Sequence, residues 1–194
     1  MRKALPRATR WLIVLLAAFT SSVFTTAAVA STARCEAEIL RAAVRHKVPV
    51  GVLYAVGLTE TGRKGSLYAW ALNIEGRAVY PRSPQDAVRT FESARREGKK
   101  LIDLGCMQIN YHYHSQQFSG VRQMLDPARN VDYAARFLAD LKKRHDSWAM
   151  AVARYHAGPN NDPAQQRYIC RVITNLVTTG FGNWTPEARK FCNS

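Results

Sequence analysis

The sequence predicts a mainly α domain of α+β type, with one small β-hairpin set among helices. Three observations point that way. Apolar residues recur at helical spacing along most of the chain. Helix-opening pairs such as Ser83-Pro84 and Asp162-Pro163, and stop residues such as Gly62 and Gly158, punctuate those stretches. A single segment, "AWALNIEGRAVY", alternates apolar and polar residues about a Glu75-Gly76 turn, as a hairpin does.

The elements follow in order. Residues 1–30 read as an export signal: Arg2, Lys3, Arg7 and Arg10 without an acid, an apolar run from Trp11, and a small-x-small ending at Ala28-Val29-Ala30. A retained anchor is the competing reading, since the run approaches spanning length. Its Ser and Thr residues and the "AVA" ending favour cleavage after about Ala30 and a periplasmic location. "STARC" carries no lipobox, which speaks against a lipoprotein. Residues 31–194 then form one domain.

Cys35–Lys47 presents Ile39, Leu40, Ala43 and Val44 on one helical face. Pro49 opens a second helix, "VGVLYAVGLTE", apolar nearly all round and therefore central. After the hairpin, "SPQDAVRTFESARREGKK" has Ser83 as cap and buries Ala87, Val88, Phe91 and Ala94. "NVDYAARFLADLKK" is read with Asn130 as cap and Val131, Ala134, Phe137, Leu138 and Leu141 inward. "SWAMAVARYHAG" starts from Ser147, and "DPAQQRYICRVITNLV" from Asp162.

Between them lies "IDLGCMQINY" (Ile102–Tyr111), which reads as a short apolar strand. It carries an Asp, a Gly, a Cys, a Gln and an Asn where Val or Ile would pack better. Buried amides need partners, and a strand Gly marks a close approach or a bulge.

The formal charge is +14, and loss of the four basic residues of the signal leaves +10. Such a chain favours anionic partners, although charge also serves solubility. Export and the scatter of Lys and Arg argue against nucleic acid. Four cysteines in an exported chain suggest disulfides, with three connectivities open. The expected pairs are Cys35–Cys106 and Cys170–Cys192, the latter because the two are neighbours in the tail. None forms a CxxC pair, and the His112, His114 and His156 set lacks a zinc-site spacing, so no metal is expected. Neither GxSxG nor a phosphate-binding Gly loop is present.

Glu60 is the one acid at the end of the apolar segment from Val48 to Thr59. Desolvation and the negative end of its helix both raise a carboxyl pKa, and a carboxylic acid still protonated near neutrality is what a general acid requires. The alternative is an ordinary solvated helix-end Glu.

Four motifs in order bear on that choice: "ETG" (Glu60–Gly62), "GCMQIN" (Gly105–Asn110), "ARYHAG" (Ala153–Gly158) and "RYICRV" (Arg167–Val172). Together they resemble the family 1 lytic transglycosylases, the SLT domain with a goose-lysozyme-like fold, over about Cys35 to Val177. Thr61 stands for the family's Ser, Cys106 for Leu and His156 for Asn. The long segment Arg63–Leu104 resembles a subgroup with a "WALN" hairpin beside the cleft.

The resemblance implies that Glu60 is the catalytic acid and that Gly105–Asn110 lines a sugar cleft. Gly105 would let backbone approach substrate, Met107 would offer an apolar surface, and Gln108 would hydrogen-bond sugar or the acid. Asn110 serves equally as a turn cap. Tyr155 would sit across the cleft with its hydroxyl towards the reacting centre, or else be core on the Trp148–Ala151–Tyr155 stripe; Tyr168 reads more readily as core than as ligand. Glu75, Asp86 and Asp103 are second carboxylates by count, but the family implies none. Peptidoglycan is the implied substrate, cut between N-acetylmuramic acid and N-acetylglucosamine with 1,6-anhydro ring closure. The implied enzyme is a monomer without cofactor. Exported single-domain members resemble accessory enzymes of secretion, conjugation or pilus assembly systems. The competing functions are a lysozyme-type hydrolase and a non-catalytic wall-binding protein.

Overall fold

The computed structural model describes residues 26–63, 65–158 and 162–193, with side chains from Cys35 onward. The expected export signal therefore lies outside the described residues, apart from residues 26–30. Those five form the start of helix α1 (Thr26–His46).

Helix α2 (Val50–Thr61) is the central strut. Leu53, Ala55 and Val56 have no exposed surface, as its nearly uniform apolar sequence requires. Gly57 lets this helix approach its neighbours: a Cβ there would stand 2.6 Å from Leu67 Cδ2 and 3.1 Å from Met107 Sδ. Helices α1 and α8 (Asp162–Thr178) pack against α2, α6 (Pro127–His145) packs against α1, and α7 (Trp148–His156) lies between α6 and α8. Helix α3 (Pro84–Arg96) starts from the expected Ser83 cap, whose hydroxyl accepts from the Asp86 amide. Short helices α4 (Tyr111–His114) and α5 (Val121–Met124) lead into α6, and α9 (Pro186–Cys192) ends the described chain. Among the described residues no helix is long and apolar enough to cross a membrane.

The β element is larger than one hairpin. Strands β1 (Leu72–Ile74) and β2 (Arg77–Val79) form the expected pair. The decapeptide adds β3 (Ile102–Leu104) and β4 (Ile109–Asn110), giving an antiparallel sheet in the order β2-β1-β3-β4. Its period-2 alternation sorts the residues by face. Leu72, Ile74, Ile102, Leu104 and Ile109 are buried. Asn73 pairs with Asp103, and Asp103 with Asn110, so these three make a polar row across the other face.

Asn130 corrects the expected start of α6. The helix is capped by Asp126, which accepts from the Arg129 amide, with Pro127 at its first position. Asn130 is buried one turn inside, four residues before Ala134 and eight before Leu138, on the core stripe. Both expected disulfides form, Cys35–Cys106 tying α1 to the β3–β4 turn and Cys170–Cys192 tying α8 to α9.

Candidate functional site

The polar row of the sheet, the end of α2 and the C-terminal part of α7 enclose a cleft of about 820 Å³. Glu60 lines it from α2, Asn73, Asp103 and Asn110 from the sheet, Gln108 from the β3–β4 turn, and Tyr155 from α7.

Glu60 is half-buried, but its carboxyl is packed round closely enough that desolvation raises its pKa to about 7. A hydrogen bond from the Tyr168 hydroxyl to Oε1, 2.5 Å long, opposes that rise. The Asp103 charge adds to the rise, and the Arg171 charge subtracts from it. Tyr168 is both core and site: its ring is 1% exposed and stacks on His156 at 4.2 Å, while its hydroxyl reaches the acid. Burial and the Glu60 charge push the Tyr168 pKa well up, so the phenol stays a proton donor.

The turn Gly105–Gln108 explains the decapeptide's composition, and it corrects two expected roles. Gly105 does not open backbone to the cleft. It has φ +80°, and a Cβ there would stand 2.6 Å from the Asn130 carboxamide, which occupies that space. Met107 offers no surface to a ligand, because its side chain is fully buried beside Gly57. Both residues serve a clamp. Asn130 Oδ1 accepts from the Met107 amide at 2.8 Å, and its Nδ2 donates to the carbonyls of Leu104 and Met124. Thr61, next to Glu60, donates to the Cys106 carbonyl at 3.0 Å. Tyr155 directs its hydroxyl to the Met107 carbonyl at 2.8 Å, not to Glu60.

Every polar group of the turn named above is thus taken by a different element, which fixes the turn relative to α2, α6 and α7. Gln108 faces the cleft with φ +45°, its amide donating to the carbonyls of Ala71 and Gly105. Asn110 lines the cleft and also caps α4 through the His112 amide, and its own amide donates to Asp103 Oδ1 at 2.7 Å.

Asp103 faces the cleft, and burial raises its pKa while the Asn110 amide holds it down. Glu75 also lines the cleft, but it is ion-paired with Lys99 and accepts from the Lys100 amide, which lower its pKa. Asp86 lies at the start of α3, bonded to Ser83 and Arg89. Of the three histidines, His114 bonds the Tyr133 hydroxyl, His112 and His114 both pack edge-on against Tyr113, and His156 stacks on Tyr168. Among the described residues no three His, Cys, Asp or Glu are grouped to hold a metal ion.

Two residues of the site escaped the sequence reading, one in the clamp and one in the cleft. Asn130 carried a usable signal, a polar residue on an apolar stripe. Arg154, which precedes Tyr155 and lines the cleft, carried none beyond its place in a motif.

The family model described as transglycosylase SLT domain matches residues 39–171. No curated protein and no solved structure matches the chain.

Proposed function

The chain belongs to the transglycosylase SLT domain family, a peptidoglycan-acting enzyme family of lytic-transglycosylase type, and from that premise we propose that Glu60 carries the whole acid–base cycle. The carboxyl with a pKa of about 7 in a sugar-sized cleft is the observation that supports this most. Protonated Glu60 gives its proton to the oxygen joining C1 of N-acetylmuramic acid to the next N-acetylglucosamine, and the C1–O bond breaks. The muramic N-acetyl oxygen shields the cation developing at C1. The sugar's 6-hydroxyl then closes on C1 and returns its proton to Glu60, leaving a 1,6-anhydro end and a regenerated acid. Tethering of the 6-hydroxyl replaces much of the entropic cost of recruiting a separate nucleophile. Tyr168 holds the carboxyl between the two proton transfers, while Gln108 and Asn110 offer polar contacts to sugar.

Hydrolysis is the second reading, because Asp103 shares the cleft and a second carboxylate is what a water-using glycosidase normally needs. The Asn110 amide bonded to Asp103 at 2.7 Å occupies one of its oxygens and argues against a free base. The setting we infer is the periplasm, in line with the N-terminal export pattern and two disulfides. The work there is local wall remodelling, on the pattern of accessory enzymes of secretion or pilus systems.

Digestion of purified peptidoglycan with mass analysis tests the chemistry. The expected products end in 1,6-anhydro-N-acetylmuramic acid, are one water lighter than lysozyme products, and resist borohydride. Glu60→Gln, which cannot donate and recover a proton, should release none. Reducible ends would instead identify a hydrolase and make Asp103→Asn the next variant. Activity of Glu60→Gln within a few-fold of wild type would remove Glu60 from the catalytic role.

A further inference from the structure

Arg154 is the second residue of the motif "ARYHAG", and the acid–base cycle does not use it. It lies on α7 one residue before Tyr155, and it lines the same cleft as Glu60. Its Nε and Nη1 atoms are buried, and neither has a hydrogen-bond partner among the described residues. The other charged groups of the cleft do not meet that need. Asp103 is bonded to Asn110, and Glu75 to Lys99 and the Lys100 amide. Glu60 is bonded to Tyr168, and the cation acting on it is Arg171.

A guanidinium with buried, unpartnered N–H groups is costly to the folded chain, because desolvation is not offset by any bond. Such a group persists where a ligand supplies missing acceptors, and the partner that suits a guanidinium fork is a carboxylate, whose charge strengthens each N–H···O bond it accepts. In peptidoglycan the sugar rings and N-acetyl groups are uncharged. Carboxylates come from the stem peptides, or from the lactyl group of muramic acid where a peptide has been removed.

We propose that Arg154 binds a carboxylate carried by the muramic acid side of the substrate and makes the cleft selective for carboxylate-bearing glycan over neutral polymers of N-acetylglucosamine. This rests on the assignment of the cleft as the peptidoglycan site. Arg154 here is a specificity residue, remote from proton transfer, so its loss shows in KM and binding and not in the chemical step.

The test uses the full disulfide-bonded chain and three glycans: peptide-bearing peptidoglycan oligomers, the same oligomers with peptides removed by an amidase, and chito-oligosaccharides. Binding is measured by calorimetry in the Glu60→Gln background with and without Arg154→Met, and KM and kcat with Glu60 intact. Arg154→Met should weaken binding of a carboxylate-bearing glycan by about tenfold or more, the worth of one charge-assisted pair, with kcat nearly unchanged. Chito-oligosaccharide binding should not change. Loss with peptide-bearing oligomers alone assigns the stem-peptide carboxylate; loss with the amidase-treated oligomers alone assigns the lactyl carboxylate; loss with both means that either is accepted.

An equal loss on all three glycans, or no loss on either charged one, overturns the proposal. If Arg154→Met unfolds, Arg154→Lys replaces it; that variant keeps the charge without the fork, and its expected loss is smaller and still confined to the charged glycans. Failure of wild type to cleave peptidoglycan would sink the catalytic reading alone, since the binding comparison does not depend on turnover.

Discussion

Glu60 pays for its function in stability. Its carboxyl pKa rises from 4.5 in the unfolded chain to about 7 in the folded one, mainly through desolvation. Between those values the folded state binds more protons than the unfolded state, so stability falls as pH rises through that window. Below about pH 4.5 both states are protonated, and the penalty is absent. Above about 7 it is complete, at roughly 3 kcal/mol for a shift of this size. Gln keeps the shape and an acceptor for the Tyr168 hydroxyl without the charge. Glu60→Gln should therefore be more stable than wild type by up to about 3 kcal/mol at pH 8, and nearly equal to it at pH 4. Urea unfolding at the two pH values measures this. A stability difference that does not change with pH would mean that Glu60 does not titrate near neutrality.

At the scale of elements, the β3–β4 turn is where local sequence and tertiary structure part company. Gly105 is needed for two separable reasons, its positive φ and the carboxamide of Asn130 in the space a side chain would fill. Gly98 has nearly the same φ, +79°, with nothing within 4 Å of its would-be Cβ. Gly98→Ala should thus cost only the left-handed backbone penalty, about 1 kcal/mol. Gly105→Ala should cost about 3 kcal/mol, because Asn130 must also give up buried hydrogen bonds. Equal costs in chemical denaturation would show that Asn130 yields freely.

The same contrast explains what the sequence could reveal. Ser83, Ser147 and the Glu75-Gly76 turn are local devices, complete within four residues, and each was legible. The expected cap at Asn130 failed because its partners, Leu104, Met107 and Met124, are brought in by folding and not by spacing. Met107 misled for a related reason: a motif preserves which residues stand together, but not which of them face solvent. The carboxyl at the end of an apolar helix was legible because burial follows from composition. Arg154 was not, since no pattern along the chain records an unpaired donor.

Across the whole molecule, the two disulfides close loops of very different consequence. Cys35–Cys106 spans 71 residues and joins two fully buried positions, α1 and the turn that carries Gln108. Cys170–Cys192 spans 22 and joins α8 to α9, a helix with no buried residue that lies beyond the matched family segment. Loop-closure entropy alone values them at about 4 and about 3 kcal/mol. That arithmetic holds only where opening the loop requires unfolding the domain. Opening Cys35–Cys106 separates α1 from the clamp that Asn130, Thr61 and Tyr155 also hold, so its cost is global. Opening Cys170–Cys192 frees α9 locally, and a local opening leaves the central core intact. Cys35→Ala/Cys106→Ala should lower the domain's unfolding free energy by about 4 kcal/mol and reduce activity through the displaced turn. Cys170→Ser/Cys192→Ser should leave global unfolding within about 1 kcal/mol of wild type and keep activity, while amide exchange in α9 accelerates. Denaturant melts, peptidoglycan release assays and hydrogen exchange on the two double variants distinguish these outcomes. An equal global loss from both would show that α9 is part of the cooperative core.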